Sequence, residues 1–294
     1  MTNEVELIRD ASAPACLLPQ GEWTVEDGMV RVDVELKDGR IAALHPAGRA
    51  TVHPKLAALA ADGGMVWPGP VDLHTHLDKG HIWPRAANPD GTFESALEAV
   101  RCDREAHWSE RDVAARMEFA LRCAYAHGTV AIRTHLDSSP PQHGISWPVF
   151  TEMRRRWRGR IELQAVSLLT PDELASPFGE ELADLVAGHG GVLGGATFMM
   201  PGLEKILDRV FALAAERRLD LDFHVDESLD PGARSLGLIA EAKLRTGFDG
   251  RVVCGHCCSL AVQEEGEAGE IIARVRDAAL AVVSLPMCNL YLQD

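Results

Sequence analysis

Short apolar runs alternate with segments of helical periodicity along this chain from residue 65 onward. The runs at 65–73, 130–134, 161–168, 192–196, 219–224, 251–254 and 280–285 predict strands, since each is brief and rich in Val, Ile, Leu and Ala. Helical segments lie between them. One starts at Ser109, with Asp112 three residues on, and ends at His127 before Gly128. A second opens Thr170-Pro171-Asp172-Glu173, an N-cap followed by a proline at the first helical position and a capping-box glutamate. Residues 203–217, 233–246 and 263–277 predict three more. Strands that alternate with helices imply a parallel sheet. Seven such steps approach the eight of a (β/α)8 TIM barrel, so the pattern predicts an incomplete α/β barrel of about seven strands over 65–294.

Residues 1–64 read differently. Val30–Leu36 and Ile41–Leu44 flank Lys37-Asp38-Gly39-Arg40, and Asp-Gly between alternating runs is a strong hairpin signal. Ala57 to Gly64 reads as a small-residue bridge into the barrel. The expectation is a small N-terminal β module.

Composition narrows the function. The chain has 294 residues, is 46% hydrophobic and can bury a sizeable core. Its net charge of −15 argues against nucleic acid or an anionic membrane as partner, because both demand basic surface. No apolar run approaches the roughly 20 residues that span a bilayer, and residues 1–10 carry no signal-peptide pattern. Seven cysteines, an odd number, fit reduced thiols in a cytoplasmic protein.

The chemistry gathers where strands end, as a barrel's active site requires. His74-Thr75-His76 closes the first predicted strand, and side chains two apart on a strand face one way. The second ends Arg133-Thr134-His135-Leu136-Asp137, the fifth Asp222-Phe223-His224-Val225-Asp226-Glu227, and the sixth Cys254-Gly255-His256-Cys257. Five of the twelve histidines (His74, His76, His135, His224, His256) therefore fall at strand ends, while the others, His53 and His81 among them, fall mostly in loops and at helix ends. His74, His76 and His224 can hold one Zn²⁺ or Fe²⁺ and leave room for water, whose pKa the ion lowers to roughly 7. Glu227 is placed to shuttle a proton. His256 is a fourth ligand or a base beside the ion. Plainer readings stay open: Glu227 as an acid near a helix start, His256 as a structural histidine. Cys254 and Cys257 have no second Cys pair to complete a structural zinc site. Phosphate loops, His-Glu-x-x-His and the zinc signature of nucleotide-editing deaminases are absent from the sequence. The fourth strand ends without a lysine, which favours one metal over two.

In this order the residues His74-Thr75-His76, His224 with Glu227, and His256 resemble the amidohydrolase superfamily, most closely its cytosine deaminase-like branch. Val71 to Lys79, Arg133 to Asp137, Ile161 to Val166 and Pro286 to Gln293 share the likeness, which covers most of 65–294. The resemblance implies a mononuclear zinc or iron site with His74, His76 and His224 as ligands. Glu227 would protonate a ring nitrogen, His256 would orient or deprotonate the attacking water, and a metal-bound hydroxide would displace an amine from an aminated pyrimidine- or triazine-like heterocycle. Asp78, Lys79, His135 and Thr170 are candidates to line the substrate pocket.

Two departures qualify the expectation. Thr170 stands where cytosine deaminase has a substrate-binding glutamine, which puts cytosine itself in doubt. The family's last ligand, an aspartate ending strand eight, has no counterpart: Asp294 follows Gln293 and does not match it. The sequence therefore reads as truncated before strand eight. A ring-opening hydrolase of cyclic amides and an inactive binding protein remain the rivals. Substrate, Zn against Fe, and a homo-oligomeric state are left open, with a small molecule as the expected partner.

Overall fold

The structure, a computed structural model, describes residues 5–51 and 57–293; His53 and Asp294 lie outside them. The chain forms two compact units, Met1–Gly69 and Pro70–Asp294.

The first unit holds β1 (Leu7–Pro14), β2 (Met29–Lys37), β3 (Arg40–Pro46) and β4 (Ala58–Ala60), in the order β3-β2-β1-β4. The predicted hairpin forms: Lys37 pairs with Arg40, and Asp38 and Gly39 take φ of 53° and 70°. A two-residue turn that matches strand twist needs positive φ at both positions. The stretch read as a bridge contains a strand, since β4 pairs in parallel with β1. Val30, Val32 and Val34 alternate inward against Ala11 and Ala13. Between those valines the Asp33 carboxylate, 2% exposed, accepts from the backbone N–H of Asp10 (2.9 Å), Gly48 (2.8 Å) and Ala50 (3.3 Å). Burial opposes its ionisation, yet the three donors and Arg9 outweigh that and hold its pKa below the usual carboxylate value.

The second unit carries seven parallel strands in chain order: β5 (Val71–Thr75), β6 (Ala131–Asp137), β7 (Glu162–Leu168), β8 (Leu193–Thr197), β9 (Leu221–Val225), β10 (Val252–His256) and β11 (Ala281–Val283). β7 and β8 meet at the single bridge Val166–Val192, and the other neighbours form full ladders. Around them run α1 (Phe93–His107), α2 (Glu110–Ala126), α3 (His143–Arg156), α4 (Pro171–Ala175), α5 (Pro177–Gly188), α6 (Leu203–Arg217), α7 (Ser235–Thr246), α8 (Glu265–Asp277) and α9 (Pro286–Gln293). This is the expected barrel of seven strands, and it is not closed among the described residues. Trp147, Phe150, Met117, Leu121, Phe211 and Phe223 are fully buried in its core. No helix among the described residues is long and apolar enough to cross a membrane.

Some boundaries move. The first barrel strand begins at Val71 instead of 65, since Pro68 and Pro70 bring no N–H to a ladder. Met65 bridges Ser12 in the first unit. β6 and β10 reach further than predicted and carry His135 and His256 on the strands themselves. The last strand is shorter, because Pro286 opens α9 in a segment for which no helix was anticipated. Helices α1 and α3 also went unread. Ser109 caps α2 as expected, its Oγ accepting from Asp112 N at 3.4 Å.

Candidate functional site

The strand geometry delivers three imidazoles to one point. His74 lies on β5, His76 just beyond it, and His224 on β9. Nε2 of His224 stands 3.1 Å from Nε2 of His74 and 3.2 Å from Nε2 of His76. Ligands about 2.1 Å from a shared ion stand roughly 3.0–3.4 Å apart at right-angled to tetrahedral spacing, so these separations fit one cation. Hydrogen bonds alone do not account for them. Nε2 of an imidazole carries either a proton or a lone pair, so that of His224 can bond one neighbour and not both. Nδ1 of His76 and of His224 are buried without a protein partner as well. The donor set fits a divalent metal. Burial, the largest cause, together with the neighbouring imidazoles, drives the His74 pKa down to about 2 and those of His76 and His224 well below the ordinary value, with Lys79 adding to the shift of His74 and His76. All three therefore stay neutral, with lone pairs to offer.

The backbone makes room for this convergence. A Cβ at Gly255 on β10 would stand 2.9 Å from Cε1 of His74, so only glycine lets that ring lie against the strand.

His135 on β6 joins the cluster. Its ligand atom and those of His74, His76 and His224 all lie within 4.8 Å of one another. Its ring centroid is 4.1 Å from that of His74 and 4.6 Å from that of His224. Behind it Asp222 accepts from His135 Nε2 at 3.3 Å and from Arg133 Nη1 at 2.8 Å, and Arg133 Nε donates to Gln164 at 2.8 Å. Sequence reasoning gave Asp222 no role. The signal was there, since Asp222 sits two residues before His224 and shares its face of β9.

Glu227 and His256, the candidates for proton transfer, stand beside the cluster. The His256 ring is 4.9 Å, centroid to centroid, from those of both His74 and His224, and its buried Nε2 has no protein partner. His256 and Cys257 hold φ of 70° and 55°, costly for side-chain-bearing residues, so the turn after β10 stores strain beside the histidine cluster. Cys257 N donates to Val225 O at 2.9 Å and keeps that turn on β9. Asp226, 3% exposed, accepts from Ser235 N (3.1 Å) and Leu236 N (3.0 Å) at the start of α7, which fixes the loop carrying Glu227. His256 Nδ1 is 3.1 Å from Glu227 Oε1. Burial pushes Glu227 up to about 7, although Lys79 and the Asn289 amide both pull it down, and burial lowers His256 to about 4. Cys254 and Cys257 are buried and their thiols are pushed up, Cys257 to about 12, which denies them thiolate chemistry.

The remaining candidates divide. Lys79 Nζ donates to Asp137 Oδ1 at 3.2 Å, and Arg104 Nη1 reaches Oδ2 of the same carboxylate at 2.8 Å. Asp78 is fully buried and accepts from Asp137 N and Ser146 Oγ, both at 2.8 Å, so its carboxylate braces the loops. Thr170 caps α4, with Oγ1 donating to Glu173 Oε2 at 3.0 Å.

The chain matches no profile of a known protein family. It is 49% identical over 289 residues to a pterin deaminase of Rhizobium rhizogenes, covering 98% of this chain and 66% of that one. Its fold superposes on the 5-methylcytosine deaminase of Klebsiella pneumoniae with a TM-score of 0.81 at 22% identity, covering 98% and 67% of the two chains. On an N-isopropylammelide isopropylaminohydrolase of Burkholderia multivorans the TM-score is 0.74 at 28% identity, covering 98% and 72%. The chain spans just under two thirds of the length of the curated relatives it matches. With the histidines of β5, β9 and β10 in their expected order and these relatives beside them, the chain belongs to the amidohydrolase superfamily, in its cytosine deaminase-like branch.

Proposed function

We propose that this chain forms the catalytic core of a metal-dependent deaminase acting on an aminated nitrogen heterocycle of the pterin kind. The observation that carries the reading is the approach of the His74 and His76 Nε2 atoms to Nε2 of His224, at 3.1 and 3.2 Å, with the Glu227 carboxyl nearby. His74, His76 and His224 would hold the ion, zinc or iron by the preference of imidazole ligands. When bound, such an ion supplies Lewis-acid chemistry: it acidifies water and stabilises developing negative charge. Every other task falls to side chains. Near neutrality Glu227 keeps its proton to about pH 7 and can give it to a ring nitrogen, which drains charge from the carbon bearing the amine. His256, neutral above about pH 4, can take the proton of the attacking water through Nε2 and return it to the departing amine. Pterin as substrate rests on the 49% relative, whose name carries that activity.

Ammonia release from pterin, cytosine and an aminated triazine, measured with zinc- and iron-loaded protein, tests the reading. Release from pterin, lost on chelation and restored by the ion, is the expected result. Turnover indifferent to chelation, or ring opening without ammonia, would overturn it.

A further inference from the structure

Strand β8 carries small residues up to its end and a large ring just beyond it. Gly194 and Ala196 pair in register with Asp222 and His224 of β9. Asp222 meets His135 and Arg133 of β6, and His224 meets His74 and His76, so this face of β9 looks into the barrel. Residues paired on neighbouring strands share a face, so Gly194 and Ala196 look inward too. The pairing runs on past β8, where Asp226 N donates to Thr197 O at 3.4 Å. Alternation then sets Phe198 on the face of Gly194 and Ala196, one step nearer the mouth. We infer that Phe198 is a specificity-determining residue whose ring is the wall on which the flat face of a fused two-ring heterocycle stacks.

Exposure follows the same period of two. Thr197 is 5% exposed, while Ala196 before it is partly open and Phe198 after it is 46% exposed. On β7 and just past it, Ser167 and Leu169 are buried, and Leu168 and Thr170 are partly open. Alternate open positions on two adjacent strands mark one accessible space, on the side of the histidine cluster. Position makes the case, since single exposed apolar residues are common on any surface. Read inward, Gly194, Ala196 and Phe198 leave room at the level of His224 and place an aromatic surface above it. A strand rises about 3.3 Å per residue, so Phe198 stands about 7 Å nearer the mouth than Ala196. A single ring held at the histidines lies at the level of Ala196, and a second fused ring extends toward Phe198. A phenyl face offers dispersion and a quadrupole to any flat π-system and no hydrogen bond, so it selects by ring area rather than by substituents.

The inference deepens the deaminase reading and rests on it, so one measurement follows turnover and another does without. In metal-loaded protein Phe198→Ala should raise KM for pterin about 10-fold, the scale of one lost base–aromatic stack. The kcat should stay within about 2-fold, because a stack made equally in bound substrate and transition state changes binding alone. Affinity for isocytosine, the single-ring counterpart of pterin, should change by less than about 2-fold. Phe198→Tyr should keep the parental KM, and Phe198→Leu should fall between. Metal content and melting temperature should match the parent's, as a position 46% exposed allows. A KM for pterin that does not move, a loss shared equally by isocytosine, or a loss of kcat alone would overturn the inference. Binding of 2,4-dioxopteridine, the deaminated counterpart of pterin, needs no turnover and is read from its ring fluorescence. Its Kd should weaken about 10-fold in Phe198→Ala and hold in Phe198→Tyr. A Kd that the Ala variant leaves unchanged would overturn the inference whatever the activity. A parent that binds 2,4-dioxopteridine through Phe198 yet releases no ammonia from pterin would sink the deaminase reading and leave the role of Phe198 standing.

Discussion

Two carboxylates, Asp33 buried in the first unit and Glu227 half-buried in the second, show that burial does not decide charge. Asp33 is enclosed by three backbone N–H donors and ionises more readily than a free aspartate. Glu227 has one amide donor and an imidazole partner, and it holds its proton to about pH 7. Desolvation works against both charges, and the count of donors aimed at the oxygens separates them. The first carboxylate is a clasp for loops. The second, in the proposed reaction, is a stored proton.

The largest test of this contrast is Glu227→Gln, which keeps shape and removes the proton. Turnover should fall by about 10³-fold while bound metal, counted per chain, stays constant. A variant that still turns over would make Glu227 a second clasp. Next comes Asp33→Ala, which takes the acceptor from three partly buried amides. Thermal or denaturant unfolding should show a loss of about 2 kcal/mol, with metal content unchanged. If stability does not move, water replaces the carboxylate and the clasp is incidental.

Acidity separates the pair more finely. The pKa of Glu227 is raised from 4.5 to about 7, so a rate that needs its proton should be level below pH 7. Above that it should fall about tenfold per pH unit. A kcat profile that rises through this range would contradict the assignment. Asp33 runs the other way. Its folded pKa lies below the unfolded value of 3.8, so its contribution to stability is complete above about pH 4 and is lost as the pH falls through the folded value. The smallest predicted effect follows: Asp33→Asn should unfold with a shallower dependence on pH than the parent below pH 4. Equal slopes would remove Asp33 from the acid sensitivity.

The histidines were legible because a period of two is the simplest rule of a strand, and His74 and His76 obey it at a strand's end. The same rule reaches from His224 to Asp222, yet a carboxylate there has no chemical signature until the fold sets His135 against it. Asn289 was beyond the sequence for another reason. It touches Glu227 and His256 from α9, in a segment for which no helix was anticipated, so no spacing along the chain relates the three. Helix α3 went unread with Pro148 inside it, a residue that ordinarily ends a helix. Asp78 and Lys79 look equally polar in the sequence, yet one is fully buried and the other partly open, a difference set by the packing of Ser146 and the loop after β6.

The missing side chain at Gly255 has a bearing on protein engineering. Attempts to retune substrate choice by randomising the cavity wall should spare this codon, since even a single methyl group would press on the His74 ring at 2.9 Å and displace it from its neighbours.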